Sequence, residues 1–292
     1  MSFEIVVDDF GASQLINNAI LKQLRIRPNS ISRVSLLINL RELHNENWQE
    51  LKKTEAKTAI HLNLSEGPSL ANESKWICGR DGNFKFDAKE LLVLSIFKPT
   101  LVYEIVYQEF SKQLTKYRLE FGETNLFINS HQHVHILPVV RSAFLNVLRD
   151  LKIDVTSIRI PHERIPKSID SLLLKQFLLN GNVLKYLLSK LTCKQLEKSL
   201  MDMGISFSDE FFGLLNSGFA NHNYAFEFFD EYALRKDNKH YEILFHIAEA
   251  GQIGREEPSF TRTSLRKFYQ SKERQKEWTI LKELSESRDY YL

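Results

Sequence analysis

Cysteine is nearly absent from this 292-residue chain. Only Cys78 and Cys193 occur, with no CxxC spacing, which excludes a disulfide scaffold and a cysteine zinc site and suits a reducing compartment. Neither sign of charge dominates: 39 basic residues face 37 acidic ones, a net +2, too little to mark a nucleic-acid partner. No apolar run approaches the length of a membrane span. The opening MSFEIVVDDFG carries acids where a secretory signal needs an apolar core and then small residues, so the expected location is cytoplasmic. What remains is globular material, 43% hydrophobic and 11% aromatic, in a chain long enough to bury one large core.

Short runs of β-branched and aromatic residues recur along the chain, at 3–7, 33–39, 58–64, 125–130, 155–160 and 241–247. Helical patterns lie between them. Ser13 is placed to cap a helix with Leu15, Ile16, Ala19, Ile20 and Leu24 on one face. Residues 100–120 put Val102, Ile105, Val106 and Phe110 on a stripe, and Pro138 suits the first turn of the helix that follows it. Strand and helix alternate, which predicts an α/β protein with mainly parallel strands and outer helices, a barrel or near-barrel of six to eight units. No internal repeat or linker divides the chain, so a single domain over 1–292 is expected.

In parallel α/β proteins the chemistry gathers at the carboxyl ends of strands. Asp8 and Asp9 end the first run, His61 sits in the third, and "NSHQHVHILP" at 129–138 follows the fourth with His131, His133 and His135 at alternate positions. Arg159 ends the fifth and His246 the last. If strand geometry persists, the three alternate histidines point to one side. They are then either metal ligands or solvated strand-end rings. Two adjacent carboxylates after an apolar strand repel each other and lose hydration, which a cation would resolve; the alternative is that one of them caps the helix near Ser13. One carboxylate could then ligate while the other accepts a proton from a water the ion acidifies. Asp, His and His at three strand ends make an open site for zinc or a similar divalent ion.

The blocks "VVDDFGAS…NNAI", "HLNLSEGPSL", "NSHQHVHILP" and "SIRIPHE", in this order, resemble the YdjC-like (ChbG/HpnK-type) carbohydrate deacetylases, with later likeness in "SFSDEFFGLLNSG" and "EILFHIAEAG". The resemblance implies a deformed (β/α) barrel that removes acetyl groups from N-acetylated sugars with one divalent metal, magnesium or zinc. Carried over position by position, Asp9, His61 and His131 would be the metal ligands and Asp8 the base. Two positions depart from the family pattern: Val6 and Val7 precede the acids, and His246 is followed by "IAEAG". His246 is assigned as proton donor to the leaving amine or as a group that orients Asp8. Glu66, His133, His135 and Arg159 are assigned to the substrate side, with a salt bridge as the alternative for Arg159.

Residues 171–190 are rich in leucine and followed by Lys194 and Lys198, within an expected helical insertion over 168–205. Such a stretch suits a helical hairpin on the barrel, a contact between two copies, or a peripheral seat on the inner face of a membrane with a lipid-linked amino sugar as substrate. Otherwise a soluble oligosaccharide is the expected substrate. A metal-dependent phosphoester hydrolase and a sugar-binding barrel without catalysis are the alternatives to deacetylation.

Overall fold

The computed structural model describes residues 2–40, 43, 46–122, 125–165, 182–234, 238–251 and 263–291. Eight strands carry the architecture: β1 Ser2–Phe10, β2 Arg33–Leu36, β3 Lys57–Leu62, β4 Leu126–Ser130, β5 Val155–Ile158, β6 Ser206–Phe207, β7 Glu210–Phe212 and β8 His240–Phe245. All pair in parallel, in the order β6-β5-β4-β3-β2-β1-β8-β7. The two edge strands are consecutive in the chain, separated only by Ser208 and Asp209, so the sheet's ends lie within about 11 Å of each other. The sheet therefore curls into a deformed barrel. Its seam is bridged beyond β5, where Phe211 N donates to His162 O at 3.3 Å and Glu163 pairs with Phe211.

The outer layer is helical: α1 Gln14–Ile26, α2 Glu46–Leu51, α3 Ala88–Phe97, α4 Pro99–Phe121, α5 Pro138–Asp150, α6 Asn182–Met203, α7 His222–Leu234, α8 Thr263–Tyr269 and α9 Glu273–Tyr291. Ser13 caps α1 as its position predicts, its hydroxyl accepting from Ile16 N, and Pro138 opens α5. Of the expected α1 face, Ile16, Ala19, Ile20 and Leu24 are buried and Leu15 packs partly against the core; in α4 Val102, Ile105, Val106 and Phe110 are buried. Strands such as Val34 to Leu36 and Ile60 to Leu62 are buried on both faces because helices cover the outside and the barrel interior fills the inside, where Ser35 and His61 are the polar exceptions.

One expectation changes. Strand geometry does not persist through the histidine cluster: β4 stops at Ser130, and His131–Ile136 forms a tight 3-10 turn with Gln132 (φ 53°) and His133 (φ 55°) in the left-handed region. A period of two is shared by strands and by irregular turns, and Pro138 ends the segment with a new helix. The six expected strands are present, but β6 and β7, two and three residues long, carry too few residues for an alternation. The insertion expected over 168–205 lies partly outside the described residues, and its described part is α6.

Candidate active site

The catalytic candidates depend on an irregular end to β1. In a regular strand Asp8 and Asp9 would face opposite ways. Here the pairing with β2 shifts register between Val7 and Phe10, and Asp9 adopts φ 70°, a left-handed conformation that aspartate tolerates better than most side chains. Gly11 follows at φ +96°, where a Cβ would come within 3.0 Å of Leu43 Cβ; the chain needs a residue without a side chain to turn under that leucine. The turn brings both carboxylates to the rim of β3. His61 Nε2 lies 3.2 Å from Asp9 Oδ1 and 3.8 Å from Asp8 Oδ2. His131 Nδ1 lies 2.9 Å from the same Asp9 Oδ1.

Asp9, His61 and His131 each offer a ligand atom within 4.8 Å of the others, and all three are buried. The residues fit a cation on a second ground. His131 Nε2 is buried with no hydrogen-bond partner among the described residues, a costly state for a ring nitrogen unless something binds it. Burial alone would raise the Asp9 carboxyl, but His131 and His61 outweigh it and hold it well below the usual range. His61 is raised in turn: burial disfavours its charge, and Asp8 and Asp9 more than compensate. Asp9 Oδ2 also accepts from the Tyr269 hydroxyl and lies 3.8 Å from His246 Nε2.

Asp8 is held differently. Arg159 reaches across the barrel interior from beyond β5 and grips it with both ends of the guanidinium, Nη1 at 2.6 Å and Nη2 at 3.1 Å, while its Nε donates to Glu242 on β8. Against the upward pull of burial, Arg159 and His61 keep Asp8 ionised far into acid. The salt-bridge alternative for Arg159 is the one observed, and at 2% exposure its guanidinium stands behind the carboxylate. His135 is likewise committed, its Nδ1 to Ser130 Oγ at 2.5 Å and its Nε2 to the Arg159 carbonyl at 2.8 Å. Glu66 is buried, its carbonyl accepting from Asn39 and Asn63. Arg159, His135 and Glu66 are not among the residues that line the cavity.

That cavity, of about 350 Å³, opens at Asp8 and at the histidines that surround Asp9. Asp8, His61, His131, His133 and His246 form its floor and near wall, while Leu92, Ile136, Leu137, Leu188, Leu214 and Phe268 make much of the rest apolar. His133 points in because its left-handed backbone turns it there; its Nδ1 is buried without a hydrogen-bond partner among the described residues, and its ring packs edge-on to Phe211. Burial, then Arg159 and His135, pushes its pKa well down. Burial also lowers His246, to about 4, so that ring is neutral near neutral pH. Its loop is held by Glu277, which accepts from His246 N, and by Arg274. Tyr269, Gln132, Asn129, Glu242 and Glu277 were not singled out from the sequence. Asn129 and Gln132 lie within the histidine block, but the other three carry no local signal, because what recruits them is contact across 31 to 260 residues of chain.

A family model described as YdjC-like protein matches residues 4–288. Among curated relatives, a protein of Danio rerio named carbohydrate deacetylase is 33% identical over 161 residues, 53% of this chain and 48% of that protein. A carbohydrate deacetylase of Clostridium beijerinckii is 27% identical over 155 residues, 52% and 58% of the two chains. The chain thus spans about half the length of the curated relatives it matches. A solved Enterococcus faecalis structure, provisionally described as a cellobiose-phosphate cleavage protein, superposes over 97% of this chain and 94% of its own with a TM-score of 0.58 at 15% identity, a likeness of fold.

Proposed function

The chain belongs to the YdjC-like family, and from that premise we propose that it is a carbohydrate deacetylase, hydrolysing the acetamide of an N-acetylated amino sugar with one divalent ion held by Asp9, His61 and His131. The observation that carries this reading is the buried Asp9–His61–His131 cluster, whose two histidines line an open cavity beside a second carboxylate, Asp8, that Arg159 grips. Relatives named carbohydrate deacetylases support the sugar substrate. Among the described residues this is the one cluster of its kind, which favours one ion over the paired ions typical of phosphoester hydrolases.

When bound, such an ion acidifies water and polarises a carbonyl. The protein's groups do the rest. Water adds to the acetyl carbon and yields its proton to Asp8, which Arg159 keeps ionised and oriented. Because Arg159 favours its ionised form, Asp8 is a weak base that holds this proton only in passing. The C–N bond then breaks, acetate departs, and the sugar nitrogen leaves as an amine that must gain a proton. His246 faces the cavity on the far side of Asp9 to deliver it; neutral at rest, it passes on the proton that hydrolysis has released. His133, whose Nδ1 has no hydrogen-bond partner among the described residues, is the ring placed to hold a sugar hydroxyl. Arg159, and His135 through the Arg159 carbonyl, serve this site from behind its wall.

The apolar side of the cavity supports an amino sugar with an apolar group attached, such as a lipid-linked hexosamine, over a bare oligosaccharide. No described helix is long and apolar enough to cross a membrane, so contact with a lipid would be peripheral. Acetate release is measured on soluble and polyprenyl-linked N-acetylhexosamines with metal-loaded protein, chelator-treated protein and Asp9→Ala. Release that requires both metal and Asp9 is expected. No release from any substrate, despite a bound ion, would move the assignment to phosphoester hydrolysis or to binding alone.

A further inference from the structure

His61 turns only its Nε2 toward the acids, 3.2 Å from Asp9 Oδ1. Its other nitrogen, Nδ1, lies 2.6 Å from the side-chain amide of Asn129, its neighbour across the β3–β4 ladder. That amide sits between surroundings of opposite demand. The end nearer His61 is also 3.2 Å from the Ile60 carbonyl, an acceptor, and therefore takes the NH2 group. The far end is 2.8 Å from Ser35 Oγ and 3.0 and 3.3 Å from Nη2 and Nη1 of Arg159. A guanidinium only donates, so this end takes the carbonyl oxygen. Oriented this way, Asn129 donates to Nδ1, and the neutral His61 ring carries its proton on Nε2, aimed at Asp9.

A ring nitrogen that carries a proton has no lone pair for a cation. For Nε2 to ligate, the proton of the neutral ring must reside on Nδ1, which then needs an acceptor behind it. Asn129 can provide one only by turning its amide over. That sets its NH2 against the Arg159 guanidinium and its oxygen against the Ile60 carbonyl. We infer that Asn129 is a positioning residue whose amide orientation couples the His61 tautomer, and with it divalent-ion affinity, to the Arg159 clamp on Asp8. The inference rests on the reading that Asp9, His61 and His131 hold the ion. Arg159 and the loaded His61 compete for one amide oxygen, so the chain binds metal more weakly than its donor set allows. A carboxylate at position 129 accepts on both sides and removes the competition.

The test uses the whole chain and Zn²⁺ alone, with no substrate. Nitrogen-15 spectra of the histidine rings, taken at alkaline pH, are expected to report Nε2–H for His61 without metal and Nδ1–H once Zn²⁺ is added. Asn129→Asp is expected to bind Zn²⁺ roughly tenfold more tightly by calorimetry, in line with the usual effect of groups behind a metal ligand, and to show Nδ1–H before metal is added. The tautomer reading separates this from the tightening that added charge alone would give. A wild-type His61 that is already Nδ1–H without metal overturns the inference, as does an Asn129→Asp protein that binds no more tightly. Should that variant fail to fold, the wild-type spectra decide by themselves. Zn²⁺ bound with the His61 signals unmoved overturns the ligand set itself, and this inference with it.

Discussion

Two buried carboxylates on adjacent residues would ordinarily take up a proton between them, since like charges in a poorly solvated site cannot both persist. Here each has a principal partner, Arg159 for Asp8 and His131 for Asp9, with His61 shared between them and nearer Asp9. This division of labour depends on Arg159, whose guanidinium also satisfies Glu242. Arg159→Met would strand two buried carboxylates and should lower stability by about 3–5 kcal/mol in chemical denaturation. Arg159→Lys keeps the charge but not the two-pronged grip, so it should recover part of that stability while deacetylation stays low; full recovery of activity would refute a geometric role. The residue types at positions 8, 9, 61 and 131 were legible because carboxylates and imidazoles after apolar runs are unusual without a cation. A salt bridge at Arg159 was an open alternative in the sequence, but its partners were not legible, because Asp8 lies 151 residues away and Glu242 83.

At the scale of elements, the cavity wall depends on how the short strands near the seam are pinned. Glu163 follows β5, and its carboxylate accepts from Leu214 N at 2.6 Å, Leu215 N at 2.7 Å and the Tyr224 hydroxyl at 2.8 Å. It thereby joins the β5 extension to the turn after β7 and to α7, and Leu214 lines the cavity. Burial outweighs these hydrogen bonds and pushes Glu163 up to about 7. A carboxyl raised in the folded state binds its proton more tightly there than in the unfolded chain, so its contribution to stability is intact below about pH 4.5 and falls as pH rises toward 7. The fall is at most about 3 kcal/mol. Glu163→Gln should flatten this slope, its melting temperature gaining on wild type as pH rises through that window; parallel curves would show that Glu163 titrates normally. Helix α1 was legible with its cap because its signals lie within a few residues. The 3-10 turn at 131–136 was not, since the left-handed pair Gln132 and His133 is imposed by its surroundings, among them the Gln132 side chain accepting from Ala88 N at the start of α3.

At the scale of the whole molecule, the site is assembled from β1, β3, the turn after β4, the loop after β8 and α8, so any ion held there ties the barrel together. A ligand that binds only the folded state stabilises it by mass action, about 2.7 kcal/mol at a hundredfold excess over Kd. Zn²⁺ should accordingly raise the melting temperature of wild type and a chelator should reverse the gain. Asp9→Ala should show neither change, and an equal rise in that variant would place the ion elsewhere. Sequence by itself determined the alternation of strands and helices, the barrel class, and the acids and histidines that belong at strand ends, because period, caps and residue chemistry are local properties. Only the tertiary structure decided which of them meet. Curling the sheet brought β5 across the interior to β1 and β8, made Arg159 the partner of Asp8, and carried Tyr269 to Asp9 from 260 residues away. Such contacts are set by packing and closure of the barrel, which no short stretch of the chain encodes.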